Sequence, residues 1–258
     1  MRSLLRKPLA LTNWKMAMTA SEGVSFIEEF TVLTGALLDH VDVVICPPYT
    51  TLWPMKEHLR DRRIGFGGQN VAPSIELART GEVSAALLID AGCRWVLLGH
   101  WEVRRHLGDD EYVVNRKLHV ALESGLAPIL LVGEAFDTEL PLEETLGRQL
   151  AAVLAGCDAE HLAAMAFVYE PQGAIGVSAP ASPERVAKGC TCIRRWIRER
   201  WGDAIADRVR IIYGGSVTPA QAAELLASPE VDGLGATRRG RDPASFAEIV
   251  RQIVLAKT

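Results

Sequence analysis

Glu170 stands at the end of an apolar run, 165–169, and directly ahead of Pro171 and a loop that carries Gly173 and Gly176. A strand holds a side chain rigidly, while glycines allow the segment behind it to move. A carboxylate on a fixed element beneath a mobile lid suits abstraction of a proton from carbon, a step that needs a dry site and a well-held base. Taken alone, such a Glu is as often a capping or ion-paired carboxylate. Three further segments narrow the reading: Asn13-Trp14-Lys15, Gly99-His100 and Tyr213-Gly214-Gly215-Ser216. The first brings an amide and an ammonium together, and the second adds an imidazole. In the third, a glycine pair lets backbone amides such as that of Ser216 approach an anion. Together these are the parts of a proton-transfer site acting on one small anion.

Eight short runs rich in strand formers could position these groups: 9–12, 41–46, 64–68, 95–98, 128–132, 165–169, 209–213 and 231–234. Most are continuously apolar, which marks strands covered on both faces and therefore a parallel sheet. Helical patterns lie between them at 20–34, 51–60, 82–91, 110–124, 142–155, 183–201, 219–227 and 243–256. Ser182-Pro183 and Thr218-Pro219 read as helix starts, a capping hydroxyl followed by proline at the first helical position. Eight β/α units in 258 residues fit a single-domain α/β protein, a closed (β/α)8 barrel spanning 1–258. The alternative is an open doubly wound sheet, but the first β/α turn reads Thr12-Asn13-Trp14-Lys15 and carries no GxGxxG fingerprint. In a barrel, chemistry gathers at the C-terminal strand ends. The polar residues fall there: Asn13 and Lys15, Gln69 and Asn70, His100 and Glu102, then Glu134, Glu170 and Ser216.

Bulk properties agree with a metabolite enzyme. A net charge of −4 provides no basic field for nucleic acid or anionic membrane. Cys46, Cys93, Cys157, Cys190 and Cys192 lack paired CxxC spacing and read as reduced thiols. Cys190 and Cys192 lie two apart on a helical pattern, which turns their side chains away from a common metal. The basic N-terminus is interrupted by Lys7 and Pro8, too early for a secretory apolar core, and no run reaches membrane-spanning length. Cytoplasm is the expected compartment. The Arg194, Arg195, Arg198 and Arg200 run reads as an exposed helix face, and Trp14, Trp53, Trp95, Trp196 and Trp201 as packing residues.

At these positions the chain resembles the triosephosphate isomerase family over essentially its whole length. The matching pieces are Asn13-Trp14-Lys15-Met16, Pro47-Pro48, Gln69-Asn70-Val71, Thr80-Gly81-Glu82, Gly99-His100, Glu102 and Gly133-Glu134. Tyr169-Glu170-Pro171, Ala174-Ile175-Gly176 and 213–217 follow in the family's order. The resemblance implies a TIM barrel and a homodimeric sugar-phosphate isomerase that uses no metal and no organic cofactor. It makes Glu170 the base that moves a proton between adjacent carbons, and His100 the group that polarises the carbonyl. That pairing of a glutamate base with a neutral histidine is the family's established chemistry and is taken over from it. Lys15 would supply positive charge, with Asn13 as a neighbouring donor and Glu102 as a supporting group that orients Lys15. Backbone amides near Gly176, Gly215 and Ser216, and at Thr237 and Arg238, would hold the phosphate.

The chain departs from the family's pattern beside the site. Trp101 stands where the family has Ser, and Val103 where it has Arg. The lid reads Pro171-Gln172-Gly173 in place of Pro-Val-Trp, and then Val177-Ser178-Ala179. After the last strand, Gly235-Ala236-Thr237-Arg238-Arg239-Gly240 replaces a glycine pair. An Arg238 guanidinium could grip phosphate as a fork. These changes leave three substrate readings. The default is interconversion of glyceraldehyde 3-phosphate and dihydroxyacetone phosphate through an enediolate, and the variant is a four-carbon erythrulose phosphate. A phosphate-eliminating lyase is a minor third. A non-catalytic barrel that binds a phosphorylated metabolite is the reading from another class. The loop 72–79 has the length with which the family reaches into a partner subunit.

Overall fold

The computed structural model describes residues 6–177 and 180–258. The start of the basic N-terminal stretch, and Ser178 and Ala179 of the lid, lie outside the described residues. The strands β1 (Leu9–Asn13), β2 (Asp42–Cys46), β3 (Ile64–Gly68), β4 (Cys93–Leu98), β5 (Ala127–Val132), β6 (Ala166–Tyr169), β7 (Arg210–Gly214) and β8 (Gly233–Ala236) close into one barrel. All neighbours pair in parallel, and β8 returns to β1 through Leu9↔Gly233 and Thr12↔Ala236.

The absence of alternation in the strand sequences has a direct cause: both faces are covered. Leu9, Leu11, Ile129, Leu131, Ala166 and Val168 fill the barrel interior. Ala10, Leu130, Val132 and Phe167 face the helix layer. This two-residue period sets the site. Glu170 continues the inward row of Ala166 and Val168 one step beyond β6, and Asn13 continues that of Leu9 and Leu11.

Around the barrel lie α1 (Ala20–Thr34), α2 (Tyr49–His58), α3 (Ala85–Asp90), α4 (Trp101–Leu107), α5 (Glu111–Glu123), α6 (Leu142–Val153), α7 (Ala159–Ala163), α8 (Pro183–Trp201), α9 (Asp203–Ala206), α10 (Pro219–Leu225) and α11 (Pro243–Lys257). Caps set several starts. Thr19 and Glu22 form a reciprocal capping box on α1, and the Ser182, Asp110 and Asp242 side chains each accept an amide of the first turn of α8, α5 and α11.

Several expectations are corrected. Thr218 precedes α10 but does not cap it; its hydroxyl donates to Gln221 Oε1 at 2.7 Å. Strand β8 begins two residues later than expected, at Gly233, and the Asp232 carboxylate just ahead of it is ion-paired to Arg6 and Arg194. The short helices α4, α7 and α9 were not expected. Arg194 is not on an exposed face: it is 1% exposed, bonded to Glu230 Oε2 and Asp232 Oδ2, each at 2.6 Å, and to the carbonyls of Ala206 and Val209. It ties α8 to the N-terminal ends of β7 and β8, opposite the site. Trp53 is half exposed rather than packed, with Lys56 Nζ 4.4 Å above its ring.

Candidate active site

The polar groups of β1, β4, β6 and β7 and of the loop after β8 meet at the C-terminal mouth of the barrel. Two connected spaces form it. A pocket of about 720 Å³ is bounded by Lys15, Glu170, Gly176, Ser216, Thr237 and Arg238, among others. Beneath it a recess of about 20 Å³ is walled by Asn13, His100, Glu170, Gly215 and Thr237. Glu170, Gly215 and Thr237 border both, so Glu170 sits where a roomy chamber meets a tight floor. Trp101 does not plug either space; it lines a separate small void behind Glu170 with Arg104 and Gln149.

Glu170 is 8% exposed. Its amide donates to Val132 O at 2.8 Å, which fixes the backbone. Gly133 packs so closely beneath that a Cβ there would collide with the Glu170 carbonyl. Burial raises the carboxyl pKa above its ordinary 4.5, and Glu102 adds to this, while the nearby His100 and Lys15 oppose it. One oxygen, Oε2, is buried without a hydrogen-bond partner among the described residues. Burial with one oxygen unpaired disfavours the charged form, so this carboxylate holds a proton more tightly than one in water.

The turn at Gly99, with φ of 80°, swings His100 inward. His100 is also the N-cap of α4. Its Nδ1 accepts the Glu102 amide at 3.1 Å, so the ring proton lies on Nε2. That Nε2 is 3.7 Å from Glu170 Oε1. The helix start that performs this positioning was missed in the sequence because its capping group is an imidazole, not Ser, Thr, Asp or Asn.

Lys15 is held in the left-handed region at φ 55°. Its amide donates to Asn13 Oδ1 at 3.0 Å, and its carbonyl accepts Gln69 Nε2 at 2.9 Å. Its Nζ lies 2.6 Å from Glu102 Oε1. A lysine in an unfavourable backbone conformation, clasped on both sides, is one whose position is imposed by its neighbours. Asn13 is therefore placed to shape this turn, and Gln69 is a second clasp whose part was not legible in the sequence.

The lid rests on the loops after β7 and β8. Ser216 Oγ donates to Val177 O at 2.7 Å and lies 3.2 Å from Ala174 O. Arg238 also donates to Val177 O. Gly176 has a φ of 73°, free of side-chain strain. At the far lid end the Ala181 amide donates to Tyr213 Oη at 2.8 Å. Tyr213 thus anchors the lid, a role that its place in the glycine motif did not reveal. Among the described residues no three His, Cys, Asp or Glu side chains gather as a metal site.

The sequence model of the family described as triosephosphate isomerase matches residues 8–253. The chain is 40% identical over 247 residues to the triosephosphate isomerase of Symbiobacterium thermophilum, covering 95% of this chain and 96% of the relative. It is 39% identical to that of Carboxydothermus hydrogenoformans, covering 96% and 99% of the two. For that of Solibacter usitatus the identity is 40%, with coverage of 95% and 99%. With the barrel closed in strand order and the match running almost end to end, the chain belongs to the triosephosphate isomerase family.

Proposed function

We propose that Glu170, His100 and Lys15 carry out the interconversion of glyceraldehyde 3-phosphate and dihydroxyacetone phosphate. The observation that supports this most directly is the position of Glu170. It is a buried base, 3.7 Å from the Nε2 of His100, where a roomy chamber meets a tight floor. The relatives that match over nearly the full chain bear the name triosephosphate isomerase.

The phosphate lies in the larger chamber, held by backbone amides at Gly176, Gly215, Ser216, Thr237 and Arg238 and by the field of Lys15 and the Arg238 guanidinium. The carbonyl end reaches the floor. Glu170 removes the proton from the carbon next to the carbonyl, while His100 gives its Nε2 proton to the carbonyl oxygen and takes one from the neighbouring hydroxyl oxygen. Lys15 stabilises the enediolate, and Glu102 keeps Lys15 in place. Glu170 then returns its proton to the adjacent carbon, so the carbonyl has moved by one position. Only proton transfers are needed, and the lid keeps water from the intermediate.

A non-catalytic barrel would have no use for a buried carboxylate with an unpartnered oxygen, which costs stability. No feature of the pocket among the described residues favours a four-carbon ketose phosphate over the triose. Turnover in deuterium oxide tests the reading. The product should carry solvent deuterium at the carbon next to the carbonyl, because a carboxylate base exchanges its proton between abstraction and return. A triose phosphate left unconverted, alongside rapid turnover of an erythrulose phosphate, would overturn it.

The chain works as a homodimer in the cytoplasm. Ile75 and Leu77, on the loop that links β3 to α3, are 78% and 95% exposed, as a loop inserted into a second copy would be in the isolated chain. The five cysteines are free thiols, which suits a reducing compartment. No described helix is long and apolar enough to cross a membrane. Light scattering after gel filtration checks the dimer; a single-chain mass at micromolar concentration would rule it out.

A further inference from the structure

Gln172 stands two residues beyond Glu170, where the lid leaves the barrel. The register of β5 with β6 ends at Val132↔Tyr169, yet the hydrogen bonds between the two segments run on. The Glu170 amide donates to Val132 O at 2.8 Å, and the Gln172 amide donates to Glu134 O at 3.1 Å. Donor and acceptor both advance by two residues, which is the step of a parallel ladder. In a continued ladder the next rung would join the Phe136 amide to the Gln172 carbonyl. The chain turns before that rung can form. Gln172–Ala174 is a single 3-10 turn, and the Gln172 carbonyl accepts the Ile175 amide at 3.1 Å. The Phe136 amide donates instead to the side-chain Oε1 of Gln172, at 2.8 Å. We infer that the Gln172 side chain supplies the missing rung and is a positioning residue, fastening the backbone behind Glu170 so that the lid moves without carrying the base with it. The role rests on the reading of Glu170 as that base.

The far side of the rung is firmly tied. Glu134 is 8% exposed, and its Oε1 accepts Tyr169 Oη at 3.1 Å and Arg185 Nη2 at 2.6 Å. The loop after β5 is thereby joined to β6 and to the first turn of α8. On the lid side, Gly173 is exposed and brings no side chain to stiffen the hinge. Phe136 itself is 83% exposed, so its ring has little to grip, and its amide has Gln172 as its partner among the described residues. The half-buried Gln172 side chain is what joins the two loops at this level. A base displaced by a fraction of an ångström loses much of its advantage in rate, so a fastening this near to Glu170 bears on turnover.

Gln172→Met removes the acceptor at nearly constant length, and Gln172→Glu keeps it. In Gln172→Met, kcat on glyceraldehyde 3-phosphate should fall about tenfold with KM and melting temperature little changed. The isotope effect from deuterium on the carbon next to the carbonyl should rise, because proton abstraction has become the slower step. Gln172→Glu should restore both, and Phe136→Ala, which keeps the amide, should leave kcat within about twofold. Hydrogen exchange followed by NMR gives a readout apart from activity: the Phe136 amide should exchange at least about threefold faster in Gln172→Met and slowly again in Gln172→Glu. Unchanged exchange in Gln172→Met would overturn the rung. A lowered kcat without a larger isotope effect would overturn its link to the base, and a loss in Phe136→Ala as large as in Gln172→Met would assign the hold to the ring instead. Glu170→Gln measured alongside separates the two readings. A slow Glu170→Gln with an unimpaired Gln172→Met overturns the positioning role alone, whereas two unimpaired variants remove the base as well.

Discussion

Glu170 Oε1 and His100 Nε2 lie 3.7 Å apart, though their residues belong to the ends of β6 and β4 and are 70 positions apart in sequence. The two groups reach one another because Glu170 extends the inward row of its strand and Gly99 turns His100 into the barrel. Burial of the carboxylate then sets a pH dependence. Since the base acts ionised and its pKa is raised above 4.5, the acid limb of kcat/KM should lie above that value. Initial rates against pH check this; a limb at or below 4.5 would contradict it.

The same shift has a stability consequence. The folded state binds this proton more tightly than the unfolded one. The carboxyl's contribution is therefore fully present below its ordinary value and is lost as pH rises through the raised one. Glu170→Gln should thus stabilise the protein at neutral pH, by about 1 kcal/mol, with the advantage vanishing below the ordinary value. Thermal melts at two pH values measure it.

His100→Gln keeps a donor of similar reach but loses the imidazole's proton shuttle. It should lower kcat by about 10²–10⁴ with little change in KM. Steady-state kinetics on glyceraldehyde 3-phosphate provide the comparison.

The Lys15–Glu102 pair is partly exposed, so it contributes at most about 1 kcal/mol to stability. Glu102→Gln should leave the melting temperature nearly unchanged. Any fall in kcat/KM then reports on the aim of Lys15, and Lys15→Met should lower kcat/KM by at least about 100-fold.

Arg238→Ala removes a guanidinium from the anion chamber and one of two donors on Val177 O, Ser216 remaining. KM should rise about tenfold and kcat/KM become less sensitive to salt. Rates at low and high ionic strength reveal both.

The barrel was legible because burial on both faces of each strand leaves a continuous apolar record, and because α8 carries its capping serine and its proline in sequence. The site was legible because Asn13, Lys15, His100, Glu170 and Ser216 each interrupt or follow such a run. What escaped notice depends on distant partners. Arg194 looks like surface charge until Glu230 and Asp232 arrive from another element. Glu134 and Arg185 lie 51 positions apart and meet only through packing. The helix α4 hid behind a capping histidine.

One comparison bears hardest on the account: turnover of glyceraldehyde 3-phosphate by the wild-type chain and by Glu170→Gln, with circular dichroism to show both folded. The wild type should convert it and the variant should be slower by at least about a thousandfold. A variant as fast as the wild type, or a folded wild type inert toward the triose phosphate, would contradict the assignment of Glu170 as the base of a triose phosphate isomerase.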